Sequence, residues 1–277
     1  MQRLRVAEHG PALVRAALAR RERVGTRICS LDFTPEEAGV ADPAPGQFFH
    51  VDCGGGREHL LRRPLSVMGY DPAPQPALIF LVEEVGWGTR RLCAMEPGET
   101  VSLLGPLGRG FALPVEGRAL LVAGGMGVAP LLYLARTLQS RGLEFDFIAG
   151  FKDTGQYFAG LEELETEVCV FTEDGSAGLR GKACDGLGER LSEGGYSSVY
   201  TCGPEAMMDE AARVCEAAGL PCQVSLDSRM ACGLGVCRGC VKRGARGANL
   251  CVCKDGPVFD STEVFDRLER RTEVRPQ

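Results

Sequence analysis

The sequence predicts an all-β plus α/β chain built from three successive modules: a small antiparallel β-barrel in residues 1–113, a parallel-sheet domain in residues 114–224 and a short cysteine-rich domain in residues 225–277. Short, partly alternating apolar runs separated by turn residues are typical of a small barrel. Apolar runs that alternate with helical stretches in the middle of the chain indicate a parallel sheet with helices on both faces. A dense cysteine pattern near the end indicates a metal or cluster site.

Bulk composition narrows the possible partners. The chain has 277 residues, of which 44% are hydrophobic and 25% charged, and a net charge of -6, so nothing favours nucleic acid or an acidic membrane surface. The N-terminus lacks an apolar core of signal-peptide type, and the longest apolar run, residues 119–135, is interrupted by glycines and Pro130. We therefore expect a cytoplasmic chain with small-molecule or protein partners.

The supply of histidine and cysteine favours redox chemistry. Only three histidines are present, none after residue 59, which makes a Ser-His-Asp hydrolase or a His-ligated zinc site hard to build. The 13 cysteines are spread over a chain without an export signal, where reduced thiols are expected.

Two motifs lie in the predicted barrel, whose apolar runs are residues 23–33, 47–53, 65–70, 77–84 and 100–104. Arg63 and Ser66 flank Pro64 and Leu65 in an extended segment and reach one diphosphate if the strand twists, because strict alternation places them on opposite faces. A solvated arginine at a strand edge is the alternative. A glycine turn ending at Gly88 precedes Thr89 and a predicted helix over 89–95, and it offers N–H groups to a phosphate. Together these motifs indicate a flavin site.

Three turns are predicted at one edge of the parallel sheet. The predicted elements are strands 119–123, 145–149, 168–171 and 197–201 and helices 130–139 and 205–218. The turn after the first strand contains Gly124, Gly125, Gly127 and Pro130. It is either a phosphate loop or a tight structural turn, since Pro130 replaces the third glycine of the Rossmann fingerprint.

Two more strand ends complete that edge. They carry Glu173 and Asp174 after one strand, and Cys202, Gly203 and Pro204 after another. Ligands of open α/β sheets bind at the carboxyl ends of strands, so the three turns face one crevice. A carboxylate there accepts hydrogen bonds from a ribose diol and repels a 2′-phosphate, which favours NADH over NADPH.

The cysteine pattern is the most specific signal. Cys232, Cys237 and Cys240 are separated by four and two residues, and more distant cysteines follow at Cys251 and Cys253. This is the plant-type ferredoxin spacing for a 2Fe-2S cluster, with either distant cysteine as the fourth ligand. A four-cysteine zinc site is the alternative, but zinc ribbons usually present two C-x2-C knuckles. The spacing therefore predicts an electron carrier.

With these motifs assembled, the chain resembles the ferredoxin-NADP reductase superfamily in Arg63 and Ser66, the turn at 125–130 and the segment 202–204. The cysteine block 228–240 and the closing segment 253–259 look like those of the electron-transfer subunits of class 1B dihydroorotate dehydrogenase. The resemblance covers about residues 20–265; residues 1–20 have no clear counterpart, and the loop 241–252 looks short for the family.

The resemblance implies a set of site residues. FAD is expected at Arg63, Pro64, Leu65, Ser66, Leu81, Val82, Glu83, Gly88 and Thr89, and the cluster at Cys232, Cys237, Cys240 and Cys253, with Cys251 as a bystander. NAD(H) is expected at Gly124, Gly125, Gly127, Pro130, Glu173, Asp174, Gly203 and Pro204, with Cys202 beside the nicotinamide as the catalytic residue.

The resemblance also implies a function. Electrons pass between NADH and the FMN of a separate catalytic subunit, through FAD and the cluster, in the interconversion of dihydroorotate and orotate of pyrimidine biosynthesis. The expected assembly is a heterotetramer with two copies of each chain. The chain has no room for an FMN barrel of about 250 residues, which fits dependence on a partner. We expect residues 227–259 to form much of the docking face.

Three alternatives remain at this stage. The first is a homologous flavin and iron-sulfur subunit of a ferredoxin-NADP oxidoreductase or a sulfide dehydrogenase. The second is a self-sufficient NADH reductase of a small molecule, and the third is a zinc-binding module without activity.

Overall fold

The structure is a computed structural model that describes residues 10–37, 40–54, 56, 58–72, 74–156 and 159–266. No helix in these ranges is long and apolar enough to cross a membrane. All 13 cysteines lie within them, and none forms a disulfide there.

The N-terminal part forms a closed antiparallel barrel. Its strands are β1 (Ala12–Gly25), β2 (Ile28–Pro35), β3 (Phe48–Val51), β4 (Arg63–Asp71), β5 (Ala77–Glu83) and β6 (Thr100–Leu107), with α1 (Trp87–Cys93) between the last two. The barrel order is β1-β2-β5-β4-β3-β6, and pairing of β6 with β1 closes it. Inward-facing aromatic rings of Phe33, Phe49 and Phe80 fill its interior, where burial of large side chains supplies most of the stabilisation.

The predicted run over 23–33 is wrong as a single strand. β1 begins at Ala12 and turns into β2 at residues 26–27. The buried residues Val14, Ala16 and Leu18 of β1 alternate with exposed or half-buried ones, as expected for a strand with one face in the core. Arginines and alanines dilute this alternation, so the sequence pattern did not reveal the strand.

The middle part is a parallel sheet with helices on both faces, as predicted. Its elements are β7 (Arg118–Gly124), α2 (Val128–Ser140), β8 (Phe145–Phe151), β9 (Val168–Thr172), β10 (Leu179–Arg180), α3 (Leu187–Glu193), β11 (Tyr196–Cys202), α4 (Glu205–Ala217) and β12 (Cys222–Ser225). Leu131, Leu134 and Leu138 of α2 are buried on one side, and Met208 and Ala211 of α4 belong to the core on the other. The prediction did not include α3, β10 or β12.

The C-terminal part is attached to this sheet. It contains β13 (Val241–Arg243), β14 (Asn249–Cys251), α5 (Val252–Asp255), β15 (Val258–Asp260) and α6 (Ser261–Val264). β13 and β14 pair with each other, whereas β15 pairs antiparallel with β12 and extends the sheet to the order β10-β9-β8-β7-β11-β12-β15. The cysteine-rich segment therefore leaves the sheet after β12 and returns to it at β15. The boundaries between the three domains stay a prediction.

Candidate functional site

A large cavity lies between the barrel and the parallel sheet. Its volume is ≈ 1310 Å³. Pockets for one drug-sized ligand are about 300–1,000 Å³, so this cavity has room for more than one ligand group. Most of the predicted nucleotide-binding residues line its wall: Pro64, Leu65, Ser66, Leu81, Val82, Glu83, Gly124, Gly125, Gly127, Pro130, Glu173, Cys202, Gly203 and Pro204.

Four predicted residues lie outside this wall: Arg63, Gly88, Thr89 and Asp174. Arg63 and Gly88 nevertheless contact each other, because a Cβ on Gly88 would stand 2.9 Å from Arg63 Nε. The Thr89 hydroxyl accepts hydrogen bonds from the backbone N–H groups of Val85 (3.0 Å) and Gly86 (3.1 Å). Thr89 thus caps the first turn of α1, and that turn presents Gly88 to the arginine.

The two glycine turns of the sheet interlock. A Cβ on Gly127 would stand 2.1 Å from the Cys202 carbonyl oxygen, and a Cβ on Gly203 would stand 2.9 Å from the Gly124 Cα. Side chains at these positions would push the two turns apart. Gly125 differs, since it has a φ of +52° and nothing within 4 Å of its missing Cβ. Its open surface suits the close approach of a ligand phosphate to the backbone.

Pro130 lies in the first turn of α2, where a missing N–H costs no helical hydrogen bond. The Cys202 thiol, at the end of β11, is half-buried in the cavity wall, and desolvation raises its pKa to about 12. The thiol is therefore neutral at pH 7, so it offers a polarisable contact rather than a thiolate nucleophile.

The two acidic residues after β9 behave differently. Glu173 lines the cavity, whereas the Asp174 carboxylate accepts hydrogen bonds from the backbone N–H (2.9 Å) and hydroxyl (2.6 Å) of Ser176. These bonds lower the Asp174 pKa and fix the carboxylate in its own loop. Of the predicted pair, only Glu173 faces the ligand space.

Several residues of the cavity wall were not predicted from the sequence, among them Phe48, Lys152, Lys182, Asp227 and Met230. Lys152 directly follows β8 and lies at the same sheet edge as the predicted turns. Its position just after a strand of the parallel sheet could have identified it as a candidate. No local motif marks Phe48 or Met230. Met230 lies two residues before Cys232, so the wall of the cavity continues into the cysteine loop.

The cysteine loop directs backbone N–H groups at four sulfurs. Cys232 Sγ accepts from the N–H groups of Leu234 and Cys237, each at 3.4 Å. The other three sulfurs each accept one N–H: Cys253 from Gly235 (3.2 Å), Cys237 from Gly239 (3.5 Å) and Cys240 from Cys253 (3.4 Å). Such bonds stabilise thiolates, and they lower the pKa of Cys232 to about 6. These N–H groups suit sulfurs that hold an iron-sulfur cluster, and the set of four ligands stays a prediction.

Cys251 lies among these ligands, because its sulfur and those of Cys240 and Cys253 are buried and within 4.8 Å of one another. Its sulfur is 3.7 Å from Cys240 Sγ and 4.0 Å from Cys253 Sγ. Within the described ranges, no backbone N–H is directed at it, and burial raises its pKa. Burial also raises the pKa of Cys253, but its sulfur accepts a hydrogen bond from the Gly235 N–H, and this bond lowers the Cys253 pKa. The backbone therefore favours Cys253 over Cys251 as the fourth ligand.

An antiparallel barrel joined to a parallel α/β sheet, with a ligand cavity between them and a four-cysteine loop after them, defines a flavin-dependent reductase with an iron-sulfur domain. Residues 227–265 match the sequence model of the iron-sulfur cluster binding domain of dihydroorotate dehydrogenase B.

Relatives described as the electron transfer subunit of dihydroorotate dehydrogenase B (NAD(+)) match most of the chain. The one from Desulforamulus reducens is 38% identical over 230 residues, covering 79% of this chain and 86% of the relative. The one from Geobacillus kaustophilus is 41% identical over 226 residues, with coverages of 79% and 86%. The one from Caldanaerobacter subterraneus is 35% identical over 256 residues, with coverages of 91% and 98%. The chain belongs to the family of dihydroorotate dehydrogenase B electron transfer subunits.

Solved structures agree with this fold. That of an NADH-dependent reduced ferredoxin-NADP oxidoreductase matches with a TM-score of 0.80 and 26% identity over 94% of each chain. A ferredoxin reductase of carbazole 1,9a-dioxygenase matches with a TM-score of 0.64 and 19% identity over 76% of this chain and 67% of that one. The predicted family, the fold class and the use of FAD, a 2Fe-2S cluster and NAD(H) are confirmed.

Proposed function

We propose that the chain carries electrons between NADH and the FMN of a separate dihydroorotate dehydrogenase catalytic subunit, as part of pyrimidine biosynthesis. FAD, when bound, exchanges a hydride with NAD(H) and releases single electrons, which the 2Fe-2S cluster can carry. The observation that supports this most directly is the continuous wall from the cavity, through Met230, to the cysteine loop that starts at Cys232.

The chain's own residues divide the work. The wall from Pro64 to Ser66 and from Leu81 to Glu83 would hold the flavin, and Arg63, which lies beside Gly88, would bind its diphosphate. The glycine turns hold the dinucleotide, and Glu173 accepts hydrogen bonds from its ribose, which favours NADH. Cys202 contacts the nicotinamide as a neutral thiol. The cluster is held by Cys232, Cys237, Cys240 and Cys253.

The cysteine loop is also the proposed exit for electrons. Cys237 is exposed, and the neighbouring apolar side chains Leu234 and Val236 are 47% and 80% exposed. Exposed apolar side chains next to a redox centre suit a protein interface. We propose that this loop docks on the catalytic subunit in a heterotetramer with two copies of each chain, in the cytoplasm.

The test is to purify the chain alone and with its candidate FMN subunit. We expect flavin and iron-sulfur absorbance from the chain alone, and NADH-dependent reduction of orotate only from the pair. Cys237→Ser is the informative variant, because it should keep flavin and NADH oxidation by a small artificial acceptor but abolish orotate reduction. Cys169→Ser, at a cysteine outside the loop, is the matched control. A colourless wild-type chain would contradict the proposal.

One observation favours a second candidate. The structural match to a ferredoxin-NADP oxidoreductase extends over 94% of the chain, including the cysteine-rich part. A related subunit that docks on another partner would show flavin and iron-sulfur absorbance and would oxidise NADH. It would not reduce orotate when combined with the FMN subunit.

A further inference from the structure

His50 is a buried polar side chain without a partner. It lies on β3 and is 0% exposed, and neither ring nitrogen has a hydrogen-bond partner within the described ranges. Burial, followed by the charge of Arg62, lowers its pKa to about 4, so the imidazole is neutral at pH 7. A neutral imidazole carries one N–H donor and one acceptor lone pair. Because buried polar groups are nearly always paired, we expect a hydrogen-bond partner for this imidazole that is not a protein atom.

The strand geometry shows where this partner lies. Side chains alternate along β3, and Phe49 and Val51 fill the barrel interior, so Phe48 and His50 face outward. The two outward rings contact each other, with centroids 5.7 Å apart. Phe48 lines the large cavity and also packs in the core that contains Cys240 and Cys253. His50 therefore lies between the barrel and the C-terminal part of the chain.

The cysteine loop covers the imidazole directly. A Cβ on Gly233 would stand 3.2 Å from both Nδ1 and Cε1 of His50. Gly233 follows Cys232, and its φ of +71° suits glycine. The missing side chain thus leaves the space in which the ring reaches the loop next to a cluster ligand.

We propose that His50 is a positioning residue that donates a hydrogen bond from its imidazole N–H to a sulfur of the iron-sulfur cluster on the Cys232 side. The inference rests on the proposed function, because it requires the cluster to be present. Hydrogen bonds to cluster sulfurs raise the reduction potential, since they stabilise the more negative reduced state. His50 would act alongside the backbone N–H groups, but from a barrel strand rather than from the loop itself.

The test is a redox titration of the cluster, followed by electron paramagnetic resonance, on the full chain purified with its partner. His50→Leu removes the N–H by replacing the imidazole with an apolar side chain of similar size. We expect its one-electron reduction constant to fall at least tenfold, which is about 59 mV. His50→Gln restores an N–H donor and should recover part of the shift. His59→Leu is the matched control, because the His59 ring stacks on Trp87, at the start of α1, and its loss should leave the potential unchanged.

A second measurement needs no variant to fold. The wild-type chain is labelled with ¹⁵N-histidine, and hyperfine spectroscopy of the reduced cluster should detect a histidine nitrogen. The inference is overturned if no such coupling exists, or if His50→Leu keeps its cluster and the wild-type potential. These results differ from failure of the proposed function, which would appear as a wild-type chain without iron and sulfide or a pair without orotate reduction.

Discussion

In the nucleotide turns, glycine brings one backbone segment against another, whereas in the cysteine loop it sets the backbone angles that aim N–H groups at sulfur. Gly127 has an ordinary φ of -62°, yet its Cβ would collide with the Cys202 carbonyl. Gly235 has a φ of +78°, and the atoms nearest to its Cβ would belong to the Lys254 side chain, at 2.6–3.2 Å, rather than to backbone. Gly127 is therefore required by space, whereas Gly235 is required mainly by its backbone conformation.

The largest effect is expected from loss of a cluster ligand. Cys253→Ser should abolish the iron-sulfur absorbance, because a hydroxyl is a poor substitute for a thiolate on iron, while flavin content is preserved. Cys251→Ser should keep the cluster, since the Gly235 N–H is directed at Cys253 and not at Cys251. Iron and sulfide analysis of the two purified variants provides the measurement. Retention of the cluster in Cys253→Ser together with its loss in Cys251→Ser would reverse the ligand assignment.

A large effect is also expected at the interlocked turns. Gly127→Ala should reduce the free energy of unfolding by about 3 kcal/mol. The added methyl group would press against rigid backbone, and no flexible side chain is there to move aside. Gly125→Ala should cost about 1–2 kcal/mol, since its surroundings are open and only its φ of +52° is unfavourable for alanine. Urea unfolding of both variants measures the difference. Equal stability of Gly127→Ala and the wild type would show that the turns are not sterically interlocked.

In the cysteine loop the expected cost of one side chain is smaller. Gly235→Ala should destabilise the cluster-loaded chain by about 1–2 kcal/mol, which is the cost of left-handed backbone for a non-glycine residue. Gly239→Ala is the matched control, because its Cβ would meet only Cys237 Sγ, at 3.7 Å. The rate of cluster loss to an iron chelator compares the two. Faster loss from Gly239→Ala than from Gly235→Ala is the outcome that speaks against a conformational role.

The smallest effect is expected for cofactor choice. Glu173→Arg should raise kcat/KM for NADPH relative to NADH about tenfold, or about 1.4 kcal/mol, by replacing a repulsive charge with an attractive one. Asp174→Ser should change this ratio little, because Asp174 is bound to Ser176 in its own loop. The double variant should resemble Glu173→Arg. If Asp174→Ser alone accounts for the change, the assignment of Glu173 to the ribose is wrong.

Sequence reasoning succeeded where chemistry restricts the choice of residue. Four converging thiolates require a particular cysteine spacing, and glycine turns after buried strands reveal the edge of a parallel sheet. The separate roles of Glu173 and Asp174 were not visible, because two adjacent carboxylates look alike until Ser176 is seen to bind one of them.

The rest of the fold depends on contacts distant in sequence. β15 is three residues long and carries no strand pattern of its own, so only its pairing with β12 reveals it. His50 looked like an ordinary strand residue, since its unpaired nitrogens and the approach of Gly233 depend on the cysteine loop folding over β3. Met230 in the cavity wall could not be predicted for the same reason.

The return of the chain at β15 has a consequence for cluster assembly. Pairing of Val224 with Phe259 closes the intervening segment into a loop whose two ends are tied to one sheet. The entropy of bringing these ends together is therefore lost when the sheet forms, before any iron binds. The four cysteines then face an incoming cluster at high local concentration. A chain that has lost its iron would keep them within reach, so the holo form can be rebuilt without refolding the protein.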